Sequence, residues 1–193
     1  MKRLIDVSLS AVGLLIALPL FAIIAIAIKL TSPGPIFFRQ ERVGMAGRRF
    51  TLLKFRTMRT GTTGAGVTSS NDRRITSPGR LLRRYKLDEL PQVLNVLAGQ
   101  MSIVGPRPEL PKFVESFQAD YEHLLTVRPG LTDFATLEYR NEEILLARAE
   151  DVESAYLSTV LPAKIALSRR YVAEMSLKTD MKLILRTALA LIR

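Results

Sequence analysis

The sequence predicts an α+β fold that is mainly helical. Its expected parts are a proline-containing N-terminal membrane helix, a small β-hairpin, and interfacial amphipathic helices around one integrated body. Three observations predict it. Residues 11–28 are uncharged and apolar. Residues 36–58 hold two β-rich runs on either side of Gly44-Met45-Ala46-Gly47. Beyond residue 87, apolar residues recur at helical spacing. The division expected is residues 1–30 as membrane helix and 31–193 as a single domain.

The apolar run of about 18 residues spans roughly 27 Å as a helix. Pro19 sits near its middle and removes one backbone hydrogen bond. Lys2 and Arg3 precede the run, and no clean small-x-small cleavage site follows it, so it does not match a secretory signal. Lys29, Arg39 and Arg42 follow it. With both flanks basic, the positive-inside rule gives no orientation for a full crossing. Composition leaves two topologies open: a kinked single pass, or a hairpin bent at Pro19 with both ends cytoplasmic. In the hairpin, Ser8 and Ser10 offer hydroxyls to the broken backbone.

Thr31-Ser32-Pro33-Gly34-Pro35 makes a stiff exit from the apolar helix. Strands are expected over 36–43 and 50–58, joined by a turn at 44–47. Lys54, Arg56 and Met58 fall on one face of the second strand, a spacing at which two cations can grip one anion. The alternative is a solvated strand face. Residues 60–70 are rich in Gly, Ser and Thr and read as a loop, either lid or connector.

A helix is expected over about 88–97, with Asp88 as N-cap, Pro91 in the first turn and Gly99 as the stop. Leu87, Leu90, Leu94 and Leu97 mark its buried face. Further helices are expected over 141–149, over 161–175 with Pro162 at the start, and over 178–193. In the last, Lys178, Lys182, Arg186 and Arg193 fall within about 80° of one another. That pattern suits an interfacial membrane helix, or a core helix with an exposed basic stripe.

The formal net charge of +10 over 193 residues implies an anionic partner: nucleic acid, anionic lipid or a phosphorylated substrate. There is no cysteine, which excludes disulfides and thiolate metal sites. The single histidine, His123, excludes His-based metal clusters and argues against a His-centred triad. Acid–base or nucleophilic chemistry therefore falls to carboxylates.

The adjacent acids Asp88 and Glu89 stand out in a basic stretch that contains Arg73, Arg74, Arg80, Arg83, Arg84 and Lys86. Two neighbouring carboxylates can hold a divalent metal, or supply a nucleophile and its helper. The competing reading is structural: Asp88 caps a helix and Glu89 complements its dipole. Arg107 lies between Pro106 and Pro108, which stiffen the backbone that carries it.

In this order the motifs resemble the bacterial sugar transferase family, the monotopic phosphoglycosyl transferases, over nearly the whole chain. The residues that carry the resemblance are Ser32-Pro33-Gly34-Pro35, Lys54-Phe55-Arg56-Thr57-Met58, Leu87-Asp88-Glu89-Leu90-Pro91-Gln92, Asn95-Val96-Leu97, Met101-Ser102-Ile103-Val104-Gly105-Pro106-Arg107-Pro108 and Arg128-Pro129-Gly130-Leu131-Thr132.

The resemblance implies transfer of a sugar 1-phosphate from a UDP-sugar to polyprenol (undecaprenyl) phosphate, giving polyprenyl diphosphate sugar and UMP. This would be the first membrane step of glycoconjugate synthesis. Asp88 would be the nucleophile of a ping-pong reaction. Glu89, with Asp88, would hold Mg²⁺. Arg83, Arg107, Lys54 and Arg56 would bind phosphate. Nearby cations and a helix N-terminus would keep Asp88 ionised.

The resemblance also implies a re-entrant helix in the bacterial inner (cytoplasmic) membrane, with the catalytic domain on the cytoplasmic face among membrane lipids. Many members follow Arg-Pro-Gly-Ile-Thr with Gly-Trp-Ala-Gln. Here Asp133-Phe134-Ala135-Thr136 stands instead. If that segment shapes the sugar pocket, the donor sugar is atypical.

Two other readings compete. One is a membrane-anchored basic protein that binds nucleic acid or acidic lipid; the absence of Trp and of aromatics interleaved with basic runs counts against nucleic acid. The other is a Mg²⁺-dependent phosphoester hydrolase using the same acids. Neither the donor sugar nor the oligomeric state is encoded in a recognisable motif.

Overall fold

Helix α1 runs from Lys2 to Thr31 in the computed structural model, which describes residues 1–59, 67–68 and 72–192. It is long and apolar enough to cross a membrane. Pro19 lies inside it, and the helix continues through that residue. The chain folds as two compact units, and α1 belongs to the first.

The first unit is drawn from Met1–Gln40, Thr51–Thr63 and Arg73–Gly99. Its core gathers Ile24 and Ile28 of α1 with Phe55 and Leu82. Phe21 meets the Phe55 ring edge-on at 4.9 Å, and Phe37 stacks on the same ring at 5.5 Å. At the other end of α1, Arg3 donates to the carbonyls of Val96 and Leu97, at 2.7 and 3.2 Å. These are last-turn carbonyls of a neighbouring helix, which a guanidinium suits. Both ends of α1 are thus tied to the same unit. Between them lie exposed apolar side chains, including Leu15, Ile16, Leu18 and Ile23.

The hairpin is β1 (Phe37–Val43) and β2 (Arg49–Phe55). The turn between them holds Ala46 at φ 57 and Gly47 at φ 72. The sequence reading carried the second strand to residue 58. It stops at Phe55 because Arg56 turns inward, donating to the Ser32 carbonyl and hydroxyl and to the Pro33 carbonyl at 2.6–2.9 Å. Helix α2 (Ser77–Arg84) starts at Thr76, whose hydroxyl accepts from the Gly79 amide. A Cβ on Gly79 would lie 2.1 Å from the Thr57 carbonyl oxygen, so only glycine allows this approach.

The predicted helix over 88–97 resolves into two pieces. Leu87–Glu89 form one 3-10 turn, and α3 spans Gln92–Leu97. The expected leucine face is only half-buried. The deeply buried residues are Pro91, Gln92, Asn95 and Val96. Leu87 and Leu90 nevertheless pack against the Ile24–Phe55 core.

The second unit is drawn from Glu41–Phe50, Gly64–Asp72 and Gln100–Arg193. It contains a parallel pair too short to be legible in sequence: β3 (Ser102–Val104) and β4 (Gly130–Thr132), with Ser102 opposite Gly130 and Val104 opposite Thr132. Helices α4 (Pro111–Ser116) and α5 (Gln118–Leu124) make the crossover. Gly105 and Gly130 touch so closely that a Cβ on Gly130 would lie 2.1 Å from the Gly105 nitrogen. Helices α6 (Phe134–Glu138), α7 (Glu142–Leu146) and α8 (Val152–Ala155) follow.

A π-turn at Tyr156–Val160 then leads into α9 (Leu161–Ala173). The helix expected over 161–175, with Pro162 at its start, is α9; the short α8, capped by Asp151, and the π-turn run into it. Proline inside a helix lacks an N–H and crowds the carbonyl four residues back; the wider π-turn just before it accommodates both. Helix α10 spans Leu177–Ile192. Most of the loop expected over 60–70, and Arg193, lie outside the described residues.

Candidate active site

Asp88 and Glu89 sit in the 3-10 turn between α2 and α3. Lys86 opens the turn in the left-handed region, at φ 56 and ψ 20. Leu87 and Leu90, three residues apart, bury toward the α1 core and hold the turn in place. Asp88 is 6% exposed, and its Oδ1 has no hydrogen-bond partner among the described residues. The helix-cap reading of Asp88 is therefore corrected. Its side chain caps nothing, and Pro91 occupies the N-cap position of α3.

Glu89 is held differently. Lys54 Nζ on β2 donates to Glu89 Oε1 at 2.9 Å, with both side chains about four-fifths buried. Burial pushes the Asp88 carboxyl above its ordinary range. Lys54 opposes this, Glu89 adds to it, and Arg83 and Lys86 oppose it more weakly. The expectation that neighbouring cations keep Asp88 readily ionised is reversed. They soften a desolvation penalty larger than their own effect.

The expected site residues Asp88, Glu89, Lys54 and Arg83 thus gather in the first unit. Arg56 does not join Lys54 on an open face. It is 4% exposed and bonded to the exit of α1. Lys86 is a further cation acting on Asp88, outside the expected phosphate-binding set.

Arg107 belongs to the second unit, on a segment pinned through backbone groups on either side of it. The Gly105 amide donates to the Thr132 carbonyl, and the Gly130 amide to the Pro106 carbonyl. Arg42 Nη1 donates to the Pro108 carbonyl and the Val43 amide to that of Glu109. The Glu109 side chain is buried and accepts from Arg42 at 3.1 Å and from the Tyr156 hydroxyl at 2.6 Å. Lys164 Nζ lies 3.9 Å from the same carboxylate and 2.8 Å from that of Glu142. Burial opposes ionisation of Glu109, but Arg42, Lys164, Tyr156 and the Leu110 amide outweigh it and hold the carboxyl below its usual range. Nothing in the spacing of Arg42, Glu109, Tyr156 and Lys164 announces this network.

The divergent segment 133–136 is the start of α6. Asp133 is fully buried; its Oδ1 accepts from the Thr136 amide and hydroxyl, and its Oδ2 from the Ser168 hydroxyl. It acts as a helix cap fixed to α9.

Among the described residues no group of three or more His, Cys, Asp or Glu forms a metal cage. The donor set fits Mg²⁺ in another way. That ion commonly takes one or two carboxylates and completes its shell with water and substrate phosphates. Asp88, with an unbonded buried oxygen, and Glu89 beside it form such a partial set.

The family model for bacterial sugar transferases matches residues 1–193. The chain belongs to the bacterial sugar transferase family. Among its relatives is a UDP-glucose:undecaprenyl-phosphate glucose-1-phosphate transferase of Caulobacter vibrioides, 39% identical over 99% of this chain and 69% of that protein. An Escherichia coli protein of the same description is 37% identical over 97% of this chain. An Aeromonas hydrophila UDP-N-acetylgalactosamine-undecaprenyl-phosphate N-acetylgalactosaminephosphotransferase is 34% identical over 96%. The chain spans only 39% and 42% of the latter two.

Proposed function

We propose that this bacterial sugar transferase moves a sugar 1-phosphate from a UDP-sugar to polyprenol phosphate through a covalent Asp88 intermediate. The observation that carries the reading is a buried, unbonded Asp88 oxygen whose charge is favoured by Lys54, Arg83 and Lys86. A carboxylate kept out of water and free of internal hydrogen bonds is a strong nucleophile once ionised. The anionic donor brings its own phosphates to the cations, and the ionised Asp88 carboxylate attacks.

An Asp88 oxygen bonds to the sugar-bearing phosphorus, and the bridging P–O bond breaks. Its electron pair leaves with UMP. In the second half-reaction a phosphate oxygen of polyprenol phosphate attacks the same phosphorus, and the Asp88 carboxylate departs. When bound, Mg²⁺ held by Glu89 and Asp88 would neutralise phosphate charge. Lys54 orients Glu89. Arg83 and Lys86 bind the diphosphate; Arg107, on its pinned segment of the second unit, offers a guanidinium suited to phosphate. Arg56 serves as a brace between β2 and the exit of α1.

The names of relatives support the UDP-sugar and undecaprenyl phosphate classes. They differ in sugar, and the donor of this chain is one of that class. Both ends of α1 are tied to one unit, which supports a helix that enters and leaves the cytoplasmic membrane on the same, cytoplasmic, face. On α10 the apolar Leu177, Met181, Leu185 and Leu189 are exposed beside Lys178, Lys182 and Arg186, a pattern suited to lying on anionic headgroups.

The test is UMP release from a panel of UDP-sugars with Mg²⁺, with and without polyprenol phosphate. A stoichiometric burst without acceptor and turnover with it are expected. Steady acceptor-independent release would instead indicate a hydrolase. A tag at residue 1 should be shielded from periplasmic labelling reagents.

A further inference from the structure

Helix α3 carries two buried amides with opposite fates. Asn95 is fully employed: its Oδ1 accepts from the Leu53 amide at 3.1 Å and its Nδ2 donates to the Thr51 carbonyl at 2.7 Å. Gln92 is 1% exposed, yet its Nε2 has no hydrogen-bond partner among the described residues. Leaving a buried amide donor unmade is costly, and native folds retain few such groups.

Gln92 lies four residues after Asp88. Leu90 and Pro91 are both in the right-handed helical region, so the chain passes from the 3-10 turn into α3 without a reversal. Residues four apart on such a run lie about one turn from each other along the chain. The two side chains present an unused acceptor, Asp88 Oδ1, and an unused donor, Gln92 Nε2, which do not satisfy each other.

We propose that Gln92 is a further substrate-binding residue, donating through Nε2 to a non-bridging oxygen of the phosphoryl group that Asp88 attacks. The proposal rests on the transferase reading above. A tetrahedral phosphoryl group uses both orphan atoms at once: its phosphorus faces the carboxylate and its oxygen faces the amide. An amide N–H₂ binds an anionic oxygen and cannot ligate a cation, which separates this role from that of Glu89. Being neutral, it orients the phosphoryl group without drawing the Asp88 carboxylate to itself as another guanidinium would.

The experiment pairs thermal unfolding with donor-dependent UMP release in the full chain reconstituted in nanodiscs. Gln92→Met keeps size and removes the polar group. Its unfolding temperature should equal or exceed that of wild type, because an unsatisfied donor has been deleted. Its kcat/KM for the UDP-sugar should fall by roughly 10- to 100-fold, the scale of a lost hydrogen bond to a charged group. Gln92→Glu, which replaces the donor by an acceptor at the same length, should lose at least as much.

A lower unfolding temperature in both variants would make Gln92 a structural amide and overturn the proposal. So would wild-type turnover in either variant. A wild-type protein silent with every donor would be a failure of the transferase reading itself.

Discussion

Lys54 Nζ and Glu89 Oε1 meet at 2.9 Å, and through them the end of β2 grips the turn that carries Asp88. The pair is half a catalytic device and half a fold contact. Lys54→Met should lower UMP release by roughly 10- to 100-fold, since it removes a charge-assisted bond in a largely desolvated place. Glu89→Gln should also be impaired. The two losses should not add: a double-mutant cycle on UMP release should give a coupling energy of about 0.5–3 kcal/mol. Strict additivity would mean that Lys54 and Glu89 act separately.

Asp88 carries a stability cost that its substitution should reveal. Burial favours the neutral carboxyl in the folded state, so its folded pKa is raised. Stability from that group is complete at low pH and is lost as pH rises through the folded pKa. Asp88→Asn has no such loss. It should unfold at a higher temperature than wild type at pH 8, and the difference should narrow as the pH is lowered. A lower unfolding temperature for Asp88→Asn at pH 8 would contradict the desolvated carboxylate.

Glu109 has the opposite sign. Arg42, Lys164 and Tyr156 hold its carboxyl below the usual range despite burial. It contributes stability above its unfolded pKa, and that stability is lost as pH falls through the lower folded value. Glu109→Gln should cost about 3–5 kcal/mol at neutral pH, because it removes the buried carboxylate to which Arg42 and the Tyr156 hydroxyl are bonded. Denaturant unfolding from pH 7 toward acid should show a flatter loss of stability in the variant than in wild type.

Arg56 separates bracing from substrate binding. Arg56→Lys loses the planar fork that spans the Ser32 and Pro33 carbonyls and should destabilise the protein by about 1–3 kcal/mol. The KM for the UDP-sugar should stay within about twofold of wild type. A large rise in KM with unchanged unfolding would return Arg56 to the phosphate site.

The hairpin, the last helix and the acid pair were legible because each rests on a local rule. Alternation marks strands, a 3.6-residue period marks α10, and two acids in a basic run are conspicuous by charge alone. What escaped depends on distant partners. Asp88 looked like a helix cap because Asp before a leucine-spaced run usually is one. Lys86 in the left-handed region sets the 3-10 turn off from α2, and Pro91, with no N–H to donate, stands where the turn gives way to α3. Arg56 looked like a strand-face cation until the exit of α1 supplied carbonyls for it. The parallel pair of β3 and β4 has three residues per strand and exists because Gly105 and Gly130 let the two backbones touch. No periodicity encodes such a contact. The family motifs located the acids in sequence order, but the burial that raises the Asp88 pKa needed the packed core beneath it.

The central claim is that Asp88 carries the sugar phosphate covalently, and intact-mass measurement tests it most directly. Purified protein is incubated with a panel of UDP-sugars and Mg²⁺ without polyprenol phosphate, then its mass is read. The account predicts one added sugar phosphate per chain with a matching donor. The adduct should be absent in Asp88→Asn and discharged when polyprenol phosphate is supplied. Acceptor-dependent product formation by wild type with no adduct at any time, or an adduct that persists in Asp88→Asn, would contradict it.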